Sequence, residues 1–62
     1  MEYTNQEYGI SVKVVHDTSS RGPFRADVTC AVTGRSLGGS EGHQNADLAM
    51  QGGKMHARKF YH

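Results

Sequence analysis

Gln44-Asn45-Ala46-Asp47-Leu48-Ala49-Met50-Gln51-Gly52-Gly53-Lys54-Met55-His56-Ala57-Arg58-Lys59-Phe60-Tyr61-His62 is a proline-free stretch of nineteen residues that ends the chain. Its apolar and small positions, Ala46, Ala49, Met50, Gly53, Ala57, Phe60 and Tyr61, recur at steps of three and four. At about 100° per residue they fall within an arc of roughly 120°, the stripe that an amphipathic helix buries. The spacing predicts a helix near residues 45–60. Asn45 is the expected N-cap, because its side chain can accept from an amide one turn on. Asp47 then stands at the positive end of the helix dipole, and Lys54, Arg58 and Lys59 at the negative end. Four of the seven stripe residues are Ala or Gly, so the helix is expected to lie close to whatever it covers. Each interior glycine costs about 1 kcal/mol against alanine. Gly53, at the centre of the stripe, has a packing reason to be there; Gly52, off the stripe, has none in the sequence.

Upstream of the helix the periodicity changes from 3.6 to 2. Tyr8, Ile10, Val12 and Val14 alternate with Ser11, Lys13 and Val15, and the β-branched content marks a half-buried strand over 8–16. Asp17-Thr18-Ser19-Ser20-Arg21-Gly22-Pro23 is a cluster of turn formers and reads as a loop. Phe24, Ala26, Val28, Cys30 and Val32 then alternate with Arg25, Asp27, Thr29 and Ala31, a second strand over 24–32. Thr33-Gly34 signals a tight turn, followed by a weaker strand over 35–40. There Gly38-Gly39 argues for an edge position, a bulge or a close approach by the helix backbone. Residues 1–7 are polar and read as a flexible arm.

The expected fold is therefore α+β, a three-stranded antiparallel β-meander with one C-terminal helix on one face, in a single small domain over 1–62. Its expected core is Tyr8, Ile10, Val12, Val14, Phe24, Ala26, Val28, Cys30, Val32, Leu37, Ala46, Ala49, Met50, Gly53, Ala57 and Phe60. A chain of this size buries only about 60% of its unfolded surface. The lone cysteine, Cys30, rules out an internal disulfide staple and is expected to point inward on a central strand. Pairing with a second copy would supply burial that the core lacks.

Composition removes several function classes. Seven Lys/Arg against six Asp/Glu leave a net charge of +1, without the strong basic bias of a dedicated nucleic-acid binder. No apolar run approaches the roughly 18 residues that span a bilayer. The polar, acidic start Met1-Glu2-Tyr3-Thr4-Asn5-Gln6-Glu7 lacks the features of a signal peptide; a cytoplasmic protein that does not engage membranes is expected. The histidines His16, His43, His56 and His62 show no i,i+4 pair, and Cys30 no C-x-x-C partner, so no metal site is expected. The glycines at 38–42 and 52–53 match neither phosphate-binding fingerprint, and no cofactor is expected. No G-x-S-x-G motif or activated nucleophile is present, so no catalytic residue is assigned and an enzyme is not expected.

Two outer surfaces remain. Lys13, Val15, Arg25, Thr29 and Ala31 lie on the outward side of the alternating strands. Leu48 and Met55 lie roughly opposite the buried helical stripe, with Gly52 between them. Both sets are candidates for self-association, giving a homodimer or contact with another protein. The alternative is weak nucleic-acid binding through a modest basic patch of Lys13, Arg25, Arg35, Lys54, Arg58 and Lys59.

Ser40-Glu41-Gly42, followed by Ala46, Ala49 and Gly53, resembles the end of small bacterial domains of the YegP-like kind and similar short uncharacterised bacterial proteins, over roughly residues 36–57. In those domains a short strand ends in a Ser-Glu-Gly-like turn, and a helix rich in small residues packs on a three-stranded sheet. The longer loop between the first two strands and the Gly38-Gly39 interruption depart from that pattern. The resemblance implies the fold and no catalytic residue. The expectation for function is a non-enzymatic interaction module.

Overall fold

A computed structural model of the chain describes residues 1–18 and 22–61. The elements are β1 (Glu2–Asn5), β2 (Ile10–His16), β3 (Phe24–Cys30), β4 (Ser36–His43), α1 (Ala46–Ala57) and a closing 3₁₀ turn, Arg58–Phe60. The strands form one antiparallel sheet in the order β1-β2-β3-β4, so every strand neighbours the one before it in sequence. Ser19, Ser20 and Arg21, expected at the centre of the loop after β2, lie outside the described residues, as does His62.

The sheet has four strands where the alternating pattern predicts three. The extra strand comes from the segment expected to be an arm: Glu2, Tyr3, Thr4 and Asn5 pair with Lys13, Val12, Ser11 and Ile10. A turn with an Asx-type link closes this hairpin, the Asn5 side-chain oxygen accepting from the amides of Glu7 (3.0 Å) and Tyr8 (3.3 Å). Tyr3, opposite Val12, packs on the core. Tyr8 belongs to this turn and not to the strand, and it is 37% exposed.

Ile10 and Val12 of β2 and Ala26 and Val28 of β3 form the sheet's buried rows. β3 ends at Cys30, two residues short of the expected boundary. Its pairing stops where Gly34 donates to the Cys30 carbonyl and Cys30 to that of Arg35, 2.7 and 2.8 Å. Gly34 takes the left-handed φ of 76° that this turn requires. Val32 is therefore at a turn tip, 83% exposed, and not in the core. Cys30, at the strand's end, is only half-buried.

β4 is an edge strand with irregular pairing, its register on β3 shifting between Phe24 and Ala26 and again between Asp27 and Thr29. Gly39 has no room for a side chain, because a Cβ there would run into the Ala26 carbonyl oxygen. The close approach at Gly39 is thus made by the backbone of the neighbouring strand, not by the helix backbone as expected.

The helix starts where expected: Asn45 is extended and its side chain accepts from the Leu48 amide at 2.8 Å. α1 packs on β2, β3 and β4, burying Ala49, Met50, Gly53 and Ala57. At Gly53 an added Cβ would collide with Val12 Cγ1 and come within 2.7 Å of Ala26 Cβ. The helix backbone thus rests almost directly on the sheet. Val14, Leu37, Phe60 and Tyr61 close the rim of this core.

Candidate functional site

Register and helical periodicity divide the surface into three parts. The first is the sheet face away from α1. Since Val12 and Ala26 face the helix, the residues that alternate with them along each strand face outward, and the pairing arranges these in rows. Thr4, Ser11, Thr29 and Ser36 are successive cross-strand partners, a line of hydroxyls across all four strands. Thr4 and Ser11 share a hydrogen bond of 3.0 Å. The next row is Glu2, Lys13, Asp27 and Gly39. Val15 stands opposite Arg25, whose guanidinium contacts Asp17 at 3.1 Å and Asp27 at 3.5 Å. Lys13, Val15, Arg25 and Thr29 thus share this face, as expected. Ala31 lies just beyond β3, in the exposed turn.

The second part is the β4 flank of α1, where the structure brings together residues the sequence leaves apart. His56 Nε2 donates to the Leu37 carbonyl at 2.8 Å, which assigns the proton to that nitrogen. Ser40 Oγ and His43 Nε2 are hydrogen-bonded at 2.6 Å. This pair lies over Gly52, where an added Cβ would stand 2.8 Å from Ser40 Oγ and from the His43 ring. Gly52 therefore has its reason: it leaves room for this hydrogen-bonded pair of β4 side chains where the strand's end lies against the helix.

Two depressions flank β4. One of about 350 Å³ runs between strand and helix, lined by Gly39, Ser40, Gly52, Met55, His56 and Lys59. The other, about 230 Å³, lies at the gap left by Gly39, bordered by Arg25, Asp27 and Glu41. Above the first stand Met55 and Leu48, 66% and 44% exposed, the apolar pair singled out by helical spacing. Leu48 and Met55 are thus on the opposite side of the molecule from Lys13 and Thr29, and the expected self-association residues form two separate surfaces.

The third part is the β1 flank of α1. Lys54 Nζ lies 4.5 Å above the centre of the Tyr3 ring. Tyr61 stacks on Tyr8 with ring centres 4.3 Å apart and planes within 10°. Arg58, one helical turn after Lys54, follows on the same flank. The six candidate nucleic-acid contacts therefore do not form one patch. Lys13 and Arg25 lie on the open sheet face, Lys54 and Arg58 on the β1 flank, Lys59 on the β4 flank and Arg35 in the β3–β4 turn.

The acidity of Cys30 is shifted. The Thr33 hydroxyl, with the backbone amides of Thr33 and Val32, holds its thiol below the ordinary range, against a smaller opposing effect of burial. Among the described residues no three His, Cys, Asp or Glu side chains are placed to share a metal ion. No helix among them is long and apolar enough to cross a membrane. No family model, curated protein or solved structure matches the chain.

Proposed function

We propose that this protein is a non-enzymatic interaction module that self-associates through the outer edge of β4. One observation carries the reading: an eight-residue edge strand runs beside an exposed apolar ridge, Leu48 and Met55. Edge strands left to solvent are commonly short, bulged or guarded by lysine or proline, and the register shifts of β4 lie on its β3 side. β1, with four residues, is short. β4 has neither lysine nor proline, and Glu41 is its only charged residue.

A second copy fits this edge by symmetry. Antiparallel pairing of β4 with its counterpart about a twofold axis would continue the sheet to eight strands and put both helices on one side. α1 covers β2, β3 and β4, so its axis stands above β3. With strands about 4.8 Å apart, the two helix axes would then be roughly 14 Å apart. That gap is wider than bare helix contact and suits the long Met55 side chain, which the dyad sets against the partner's Gly52. The same operation brings Lys59, beside the start of β4, towards the partner's Glu41, near its end.

Sedimentation over a concentration series tests this. The expected result is a shift from 6.8 kDa towards twice that mass, and a monomer at every concentration for Met55→Glu. Met55 is exposed in the single chain, so this change should leave the fold intact. A wild-type monomer at high micromolar concentration, or a dimer unaffected by Met55→Glu, would remove the proposal.

A further inference from the structure

We infer that the β1 flank of α1 binds single-stranded nucleic acid, with Tyr8 and Tyr61 as a stacking platform and Lys54 and Arg58 as phosphate contacts. This site is separate from the β4 edge and does not depend on self-association. All three tyrosines of the chain, Tyr3, Tyr8 and Tyr61, are on this flank, brought from the β1 strand, the β1–β2 turn and the segment after the helix. Tyr8 and Tyr61 are already parallel at stacking distance. Tyr8 is 37% exposed and Tyr61 half-buried, so Tyr8 is the outer ring and its free face can accept a base. The cations follow from helical spacing: Lys54 and the C-cap Arg58 are at i and i+4 on one side of the helix, and Tyr61 follows the closing turn. Lys54 rests on Tyr3, an arrangement that places the ammonium without using up its hydrogen-bond donors. Glu7 lies in the same turn as Tyr8, and Asp47 lies two helical turns before Lys54 on the same side of the helix.

Aromatic rings interleaved with cations suit a flexible strand whose bases are free to stack while its phosphates meet the charges. A duplex hides its base faces and would gain only the charge contacts. Two phosphate contacts give modest affinity, with a slope of log K against log salt near about −1.4 for a single strand.

The probe is a short labelled oligodeoxythymidylate, followed by anisotropy and by the protein's own tyrosine emission at low ionic strength. The chain has no tryptophan, so that emission comes entirely from the site. Expected are quenched tyrosine emission, reversal by salt, and roughly tenfold weaker binding for Tyr8→Ala and for Arg58→Glu. Met55→Glu, on the other flank, should bind like the wild type. Arg58→Glu, at an exposed position, keeps the test decisive if Tyr8→Ala disturbs the fold. Unchanged tyrosine emission at low salt, equal affinity for a duplex of the same length, or full binding by the Lys54→Glu/Arg58→Glu double variant would each overturn the inference.

Discussion

At Gly53 a methyl group would collide with Val12 Cγ1 and press on Ala26 Cβ, both in the fully packed interior. At Gly52 it would meet only the tips of Ser40 and His43, which can turn aside. Alanine favours a helix over glycine by about 1 kcal/mol at either position, and overpacking a rigid core costs about 1–3 kcal/mol. The expected outcomes therefore have opposite signs. Gly53→Ala should lose about 1 kcal/mol and lower Tm by several degrees in thermal unfolding. Gly52→Ala should be neutral or gain up to about 1 kcal/mol. Equal effects would mean that the helix is rotated from the orientation described. The reason for Gly53 was legible in the sequence, since the stripe of small residues passes through it. The reason for Gly52 was not, because Ser40 and His43 reach it from another element. Tyr8 and Val32 mark a related limit: alternation was extended past the last paired residue, and pairing depends on the turn, which alternation does not report.

Among the elements, α1 is the most self-consistent. Cap, dipole charges and buried stripe agree, and the observed helix differs from the expected one mainly in its tightened last turn. Asn45→Ala removes the acceptor for the Leu48 amide and should cost about 1 kcal/mol, measurable by urea denaturation. Asn45→Asp should retain most of that stability. An Asn45→Ala protein as stable as the wild type would show that solvent satisfies this helix end equally well. β2 and β3 were legible through their branched, alternating residues. β1 was not, having a single core side chain, Tyr3, in a polar run; it is held by the ladder to β2 and by the Asn5 turn rather than by strand propensity. In the sequence β4 reads as short, over 35–40, because its glycines suppress the strand signal. Gly39 is what admits the Ala26 carbonyl, and Gly38 what admits the His56 ring.

At the scale of the whole molecule, Val12 and Val28 are the largest fully buried side chains among the described residues. A core of this size leaves a small margin of stability, so association should show in unfolding. If β4 pairs with a second copy, Tm should rise with protein concentration, since the dimer is favoured by mass action, and Met55→Glu should abolish the dependence. A concentration-independent Tm for the wild type would argue for a monomer. The candidate surfaces were legible as residue types but not as groupings. Leu48 and Met55 were identified by spacing, whereas the tyrosine cluster needed the β1 hairpin and the helix end to be seen together. The strand order also bears on how the chain acquires its shape. Each strand neighbours its predecessor, so the sheet can assemble hairpin by hairpin from short-range closures, a topology associated with rapid folding. The helix, last of these elements to leave the ribosome, is the cover for Ile10, Val12, Ala26 and Val28. During synthesis those side chains must wait uncovered, and the interval before Ala49, Met50 and Ala57 arrive is when a nascent chain is most exposed to aggregation.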